Sequence, residues 1–207
     1  MLPPTRIMFI RHGEVESSYH RVFGGRIDME LSPFGHEQAR VTAEYLRRHP
    51  IDAIYASPMR RVQQTLSALV ASQEKLPTIL PDLREVDFGE WTGLSWDQVM
   101  ERFQISAFTW LEQLEHGAID QAESIEHFRS RVETAMWQVL REQSQKTVAV
   151  LCHGGVIRMA LSILLDLPLK KTAAFEIEYA SVTIVNWRPP KKSEIQLLNF
   201  TPWRDIR

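Results

Sequence analysis

Three places in the chain set a cationic or imidazole side chain at or within a few residues of the end of a short apolar run. Ile7 to Ile10 leads into Arg11-His12-Gly13, Ala53 to Ala56 leads through Ser57-Pro58 to Arg60-Arg61, and Val148 to Cys152 leads into His153-Gly154-Gly155. A guanidinium offers a rigid fork of donors, and a neutral imidazole can act as base, nucleophile or metal ligand. Glycines opening a helix expose backbone N–H groups to an anion. Gathered at one end of a sheet, these groups would form an anion pocket containing two histidines. Such a pocket suits the three equatorial oxygens of a phosphoryl group in transfer, where catalysis is mostly positioning and charge stabilisation. Phosphate is therefore a better match than carboxylate.

Two other chemistries compete for the same residues. Two histidines could hold a metal, but arginines beside them would repel a cation, and no HExxH or comparable ligand spacing occurs. No metal and no cofactor is expected. Cys152 to Arg158 also fits the C-x-x-G-x-x-R spacing of cysteine-dependent phosphatases. There, however, Leu151 stands where a histidine is usual and Met159 where a hydroxyl is usual. That reading also leaves Arg11, His12 and Arg60 unexplained, so Cys152 is expected to be a buried strand residue.

The elements that must position these groups read as an alternation of strands and helices. Apolar runs at Ile7 to Arg11, Ala53 to Ala56 and Thr147 to Cys152 suit buried strands, with at most a short one within Pro77 to Pro81. Ser32-Pro33 gives an N-cap and a first-turn proline to a helix running to Arg47-Arg48-His49-Pro50. Further helices are predicted from Arg60, from Leu94 to about Glu115, from Ser124 to Glu142, and after Gly154. Two more strands are expected from Thr172 to Trp187 and Ser193 to Phe200, joined at Arg188-Pro189-Pro190-Lys191. This order predicts a three-layer α/β/α sandwich with a mostly parallel sheet and right-handed crossovers. The segment Glu14 to Glu30 is long for a connection, and such loops are usually functional or disordered. The loop Leu83 to Gly93 concentrates charges and aromatics, with no purpose legible from its pattern alone.

Composition narrows the classes. The 207 residues, 44% hydrophobic and 24% charged, can bury a sizeable core, and one domain spanning 1–207 with an elaboration at about 94–123 is expected. A net charge of −2 offers no global attraction to nucleic acid or to an acidic membrane, so an anion must be met by a local cluster. The single cysteine cannot form an internal disulfide, the N-terminal Met1-Leu2-Pro3-Pro4 lacks an apolar signal core, and no run approaches membrane-spanning length. A cytoplasmic protein acting on a small molecule, with no nucleic-acid or membrane partner, is expected; the strand after Thr172 could supply an edge for a homodimer.

Four motifs together carry a family resemblance. They are Arg11-His12-Gly13-Glu14, Ser57-Pro58-Met59-Arg60-Arg61-Val62-Gln63-Gln64-Thr65, Glu85 with Phe88-Gly89-Glu90-Trp91-Thr92-Gly93, and His153-Gly154-Gly155-Val156-Ile157-Arg158. The chain resembles the histidine phosphatase (phosphoglycerate mutase-like) superfamily from about residue 5 to 170. The resemblance implies that His12 becomes phosphohistidine, that Arg11, Arg60 and His153 hold the phosphoryl group, and that Glu85 is the general acid. Ser18 stands where members often carry a phosphate-pocket asparagine, and Gly154 would add an amide; both are phosphate-binding candidates. The loop Arg21 to Arg26 looks most like the α-ribazole phosphatases, and the Phe88 to Gly93 loop looks like phosphatases rather than mutases. The segment from Gly93 to Ser124 is shorter than the mutases' insertion. A metal-independent phosphomonoesterase is thus favoured, with α-ribazole 5'-phosphate a candidate substrate. A mutase or a non-catalytic phospho-ligand-binding protein is the alternative.

Overall fold

The computed structural model describes residues 3–73, 75–190 and 192–206, so Met1, Leu2 and Lys191 of the motifs above lie outside the described residues. Strands β1 (Thr5–Arg11), β2 (Ala53–Ala56), β3 (Thr78–Ile79), β4 (Thr147–Cys152), β5 (Val182–Arg188) and β6 (Lys192–Phe200) form one sheet in the order β3-β2-β4-β1-β5-β6. The first four are parallel; β5 and β6 run antiparallel at one edge.

Alternation along β1 and β4 assigns each apolar residue to one face. Ile7, Phe9, Val148 and Val150 join a core with α5 (Ile125–Glu142) and α6 (Gly154–Leu165), represented by Val132, Met136, Val139 and Leu161. Met8, Ile10, Ala149 and Leu151 join the opposite core beneath α1 (Pro33–Leu46) and α2 (Arg60–Gln73), represented by Ala43, Leu46, Val62, Leu66 and Leu69. The strands are apolar throughout because both faces are covered. Ser32 caps α1 by accepting from Gly35 N–H, with Pro33 in the first turn. The expected three-layer sandwich with a mostly parallel sheet is the observed fold.

Two expected elements differ. The stretch expected as one helix from Leu94 to Glu115 is α3 (Trp96–Phe103), a 3₁₀ turn at Ala107–Thr109, and α4 (Trp110–Glu115). Gln104 ends α3 in the left-handed conformation, and the Ser106 side chain caps the next turn, so local side-chain bonding breaks the helical period. The strand expected from Thr172 begins only at Val182; Leu169–Ala174 forms 3₁₀ turns instead. The α3 to α4 segment covers one end of the sheet and is stitched down at both ends. Phe23 N–H bonds Leu94 C=O at 2.9 Å, and Glu90 N–H bonds Asp120 C=O at 3.0 Å. At the second stitch Gly89 has φ +51° and a Cβ there would strike the Asp120 carbonyl, so the turn requires glycine. α7 (Pro202–Asp205) closes the chain against α1. No helix among the described residues is long and apolar enough to cross a membrane.

Candidate active site

Register decides what meets at the carboxyl ends of the strands. Arg11 pairs with Cys152 across β1 and β4, so His12 and His153 leave the sheet side by side with ring centroids 5.3 Å apart. Ala56 pairs with Leu151 across β2 and β4, which brings Ser57 beside His153, its Oγ 2.9 Å from Nε2. The pairings put three strand ends in contact, as expected at the ligand-binding edge of an open α/β sheet.

His12 is nearly fully buried. Its Nδ1 lies 2.8 Å from the Gly13 carbonyl, which can only accept, so Nδ1 carries the hydrogen and Nε2 presents its lone pair. Nε2 accepts from Arg61 Nε–H at 3.2 Å. Burial, and then the charges of Arg61 and Arg11, hold the imidazole well below the usual histidine range. His153 is wholly buried and is pulled down for the same first reason, then by Arg61. Its Nδ1 and the Nε of Arg11 are buried without a hydrogen-bond partner. Arg11 donates from Nη1 to the Ile177 carbonyl at 2.7 Å, and its guanidinium lies over Tyr179, 3.9 Å from the ring centroid. Thr65 accepts from Gly13 N–H at 3.0 Å and so fixes the turn after His12 from α2.

A cavity of about 470 Å³ opens above this edge, lined by Arg11, His12, Arg61, Glu85, Gly154 and Arg158, with aromatic walls from Phe23, Phe88, Trp96, Phe108 and Trp110. Glu85 reaches it from the irregular loop after β3. Its Oε2 accepts from Gly155 N–H at 3.2 Å and its Oε1 from Val86 N–H at 3.0 Å. A Cβ at residue 155 would collide with that carboxylate.

Two of the expected site residues lie elsewhere. Arg60 points to solvent and pairs with Glu30 at 2.9 Å, whereas Arg61 is 3% exposed and bonds His12. The phase of α2 is responsible: Arg61 and Thr65 lie one turn apart beside the buried Val62, Leu66 and Leu69, while Arg60 shares the exposed stripe with Ser67 and Ala71. Arg61 also donates to the Ile27 and Gly25 carbonyls at 2.7 and 3.0 Å, and burial pulls its guanidinium down to about 10. Ser18 is exposed in the 3₁₀ turn Ser17–Tyr19, which directs Tyr19 into the cavity instead. Two further residues line the cavity: Tyr179, which no motif covers, and Arg158, met in the sequence only within the cysteine-phosphatase spacing and the last family motif. Arg158 is largely buried, donates from Nη2 to the Phe175 carbonyl at 3.0 Å, and is pulled down to about 10 by burial and then by Arg11. Its five-residue spacing from His153 on the first turns of α6 was the available signal.

Three guanidinium groups against the carboxylates of Glu85 and Glu176 leave the cavity net positive, which suits a dianion. The Cys152 thiol, in contrast, is fully buried and burial pushes its titration up, so the thiolate needed for attack is disfavoured. A pH prediction follows from the histidines. Below about pH 6.5 the unfolded chain takes up protons that buried His12 and His153 refuse, so stability falls as pH falls through that value. Melting temperature should drop between pH 7 and 5, and His12→Asn should flatten that slope; an unchanged slope would contradict the burial argument.

Residues 7–201 match the model of the histidine phosphatase superfamily (branch 1), and the chain belongs to that family. It is a phosphatase, with the phosphoglycerate mutase-like fold. It is 29% identical to phosphoserine phosphatase 1 of Hydrogenobacter thermophilus over 95% of this chain and 93% of that one. To the adenosylcobalamin/alpha-ribazole phosphatase of Escherichia coli it is 26% identical over 84% and 85%. The crystal structure of the alpha-ribazole phosphatase from Shigella flexneri superposes with a TM-score of 0.82 at 22% identity, covering 94% and 96% of the two chains.

Proposed function

We propose that the protein hydrolyses the phosphomonoester of a small metabolite through a phosphohistidine on His12. The observation that carries this reading is the Nδ1 to Gly13 hydrogen bond, which leaves a neutral ring with its Nε2 lone pair beside Arg61 at the cavity floor. Nε2 attacks phosphorus in line; the P–O ester bond breaks, and the leaving alkoxide takes a proton from Glu85. Arg61 then donates to a phosphoryl oxygen in place of Nε2, joined by Arg11 Nε and by His153. Water attacks the phosphohistidine, its proton passes to the Glu85 carboxylate, the P–N bond breaks, and inorganic phosphate leaves. No metal is needed, because three guanidinium groups already supply the charge.

The aromatic walls support a leaving group with a flat, apolar portion, and α-ribazole 5'-phosphate meets that description. Arg158 favours a second reading, in which the leaving group carries its own anion, as phosphoserine does. A turnover screen over a panel holding both kinds separates them. The mechanism is tested by Glu85→Gln. Alkyl phosphates should slow by roughly 10²–10⁴-fold, the usual worth of a positioned proton donor, while phosphoenzyme formation from an aryl phosphate is nearly unchanged. With the second step also impaired, an acid-labile, base-stable phosphoenzyme should accumulate as a burst. Equal slowing of both esters without a burst would remove Glu85 from the reaction.

A further inference from the structure

Glu85 lies in an irregular stretch between the 3₁₀ turns Pro81–Leu83 and Gly89–Trp91, and Gly155 N–H meets its carboxylate, so something outside the loop must fix the main chain that carries it. That task falls on one buried side chain of α5. Arg131 donates from Nη1 to the carbonyls of Asp82 and Arg84 at 2.7 and 2.6 Å, and from Nη2 to the carbonyl of Glu85 at 3.2 Å. Its remaining donors grip Glu123, Nε to Oε1 at 2.6 Å and Nη2 to Oε2 at 2.7 Å. All five N–H groups of the guanidinium are thereby used, and three of them go to main-chain carbonyls within four residues that end at Glu85.

Glu123 extends the grip. Its side chain is 3% exposed and accepts from Asp87 N–H at 3.4 Å, while its own N–H bonds the Asp87 carbonyl at 3.0 Å. Arg26 faces the same carboxylate at 3.8 Å, and it lies between Gly25 and Ile27, whose carbonyls hold Arg61. Buried ion pairs contribute little net stability as a rule, because desolvation offsets their attraction. Two donors matched to Glu123 and three to the loop carbonyls specify position instead.

We propose that Arg131, with Glu123 as its anchor, is a positioning residue that sets the Glu85 carboxylate over the leaving group. The inference rests on the reading of Glu85 as general acid. Lysine keeps the charge beside Glu123 but cannot reproduce the fork. Arg131→Lys should therefore slow phosphoenzyme formation from an alkyl phosphate such as glycerol phosphate by roughly 10–100-fold, less than loss of the proton donor itself. With p-nitrophenyl phosphate the rate should stay within about threefold, and KM for both should hold, since the cavity walls are untouched. Glu123→Gln, which removes one matched acceptor, should move the same ratio in the same direction and serves if the lysine variant does not fold. Equal losses with both esters, or none, in a folded variant would make Arg131 a structural staple only. Glu85→Gln, run alongside, separates the two claims. If it discriminates between the esters and Arg131→Lys does not, this inference alone fails; if it does not discriminate, the general-acid reading fails and takes this inference with it.

Discussion

An enzyme with alanine at position 12 is expected to lose turnover on the order of 10⁵-fold or more, the scale reached when a covalent nucleophile is removed. No neighbour can take over. The His153 ring is wholly buried with its Nε2 engaged by Ser57, and the Cys152 thiol is buried in the core face of β4. Cys152→Ala should accordingly retain activity within about threefold, with a modest loss of stability of about 1 kcal/mol for the small void it leaves. Steady-state rates with an aryl phosphate and the acid lability of a trapped phosphoenzyme decide between the two residues. A dead Cys152→Ala and an active His12→Ala would exchange their roles and overturn the proposed mechanism.

The second large effect distinguishes two adjacent arginines. Arg61→Ala should lower kcat/KM by on the order of 10³-fold or more, because it removes a buried, charge-assisted donor from the transferring phosphoryl group. Arg61→Lys should recover only part of this, since one ammonium cannot hold His12, Gly25 and Ile27 together. Arg60→Ala should stay within about twofold, because its side chain reaches solvent and Glu30, an exposed pair of little energetic weight. Comparable losses at both positions would show that the α2 face bearing Arg60 turns toward substrate during the reaction.

The contrast between Arg60 and Arg61 also marks where reading the sequence stops. Strands β1 and β4 were legible because a run such as Val148 to Cys152 is apolar on both faces, and the glycines after them announced the turns. The choice between neighbouring arginines needed the helix phase, which Val62, Leu66 and Leu69 encode but which the strand-to-helix junction alone does not. Breaking of the Leu94 to Glu115 stretch depended on Ser106 and Gln104 bonding locally, against an apolar pattern that suited one helix. Arg131 could not be read at all. Its partners lie 8, 46, 47 and 49 residues away, and only the packed loop brings them to one guanidinium.

The aromatic cover stitched at Leu94 and Asp120 behaves as a cassette. It leaves the body of the protein beside Phe23 and re-enters beside Glu90, while the imidazoles and arginines hang from strands and helices outside it. Three of the five aromatic walls, Trp96, Phe108 and Trp110, thus stand on a different support from the groups that break the bond. Exchange of residues 95–122 between relatives can alter which ester is admitted while the register of β1 against β4 keeps the two histidines in place. Glu123 marks the limit of such an exchange, because the next residue inward already belongs to the network that aims Glu85.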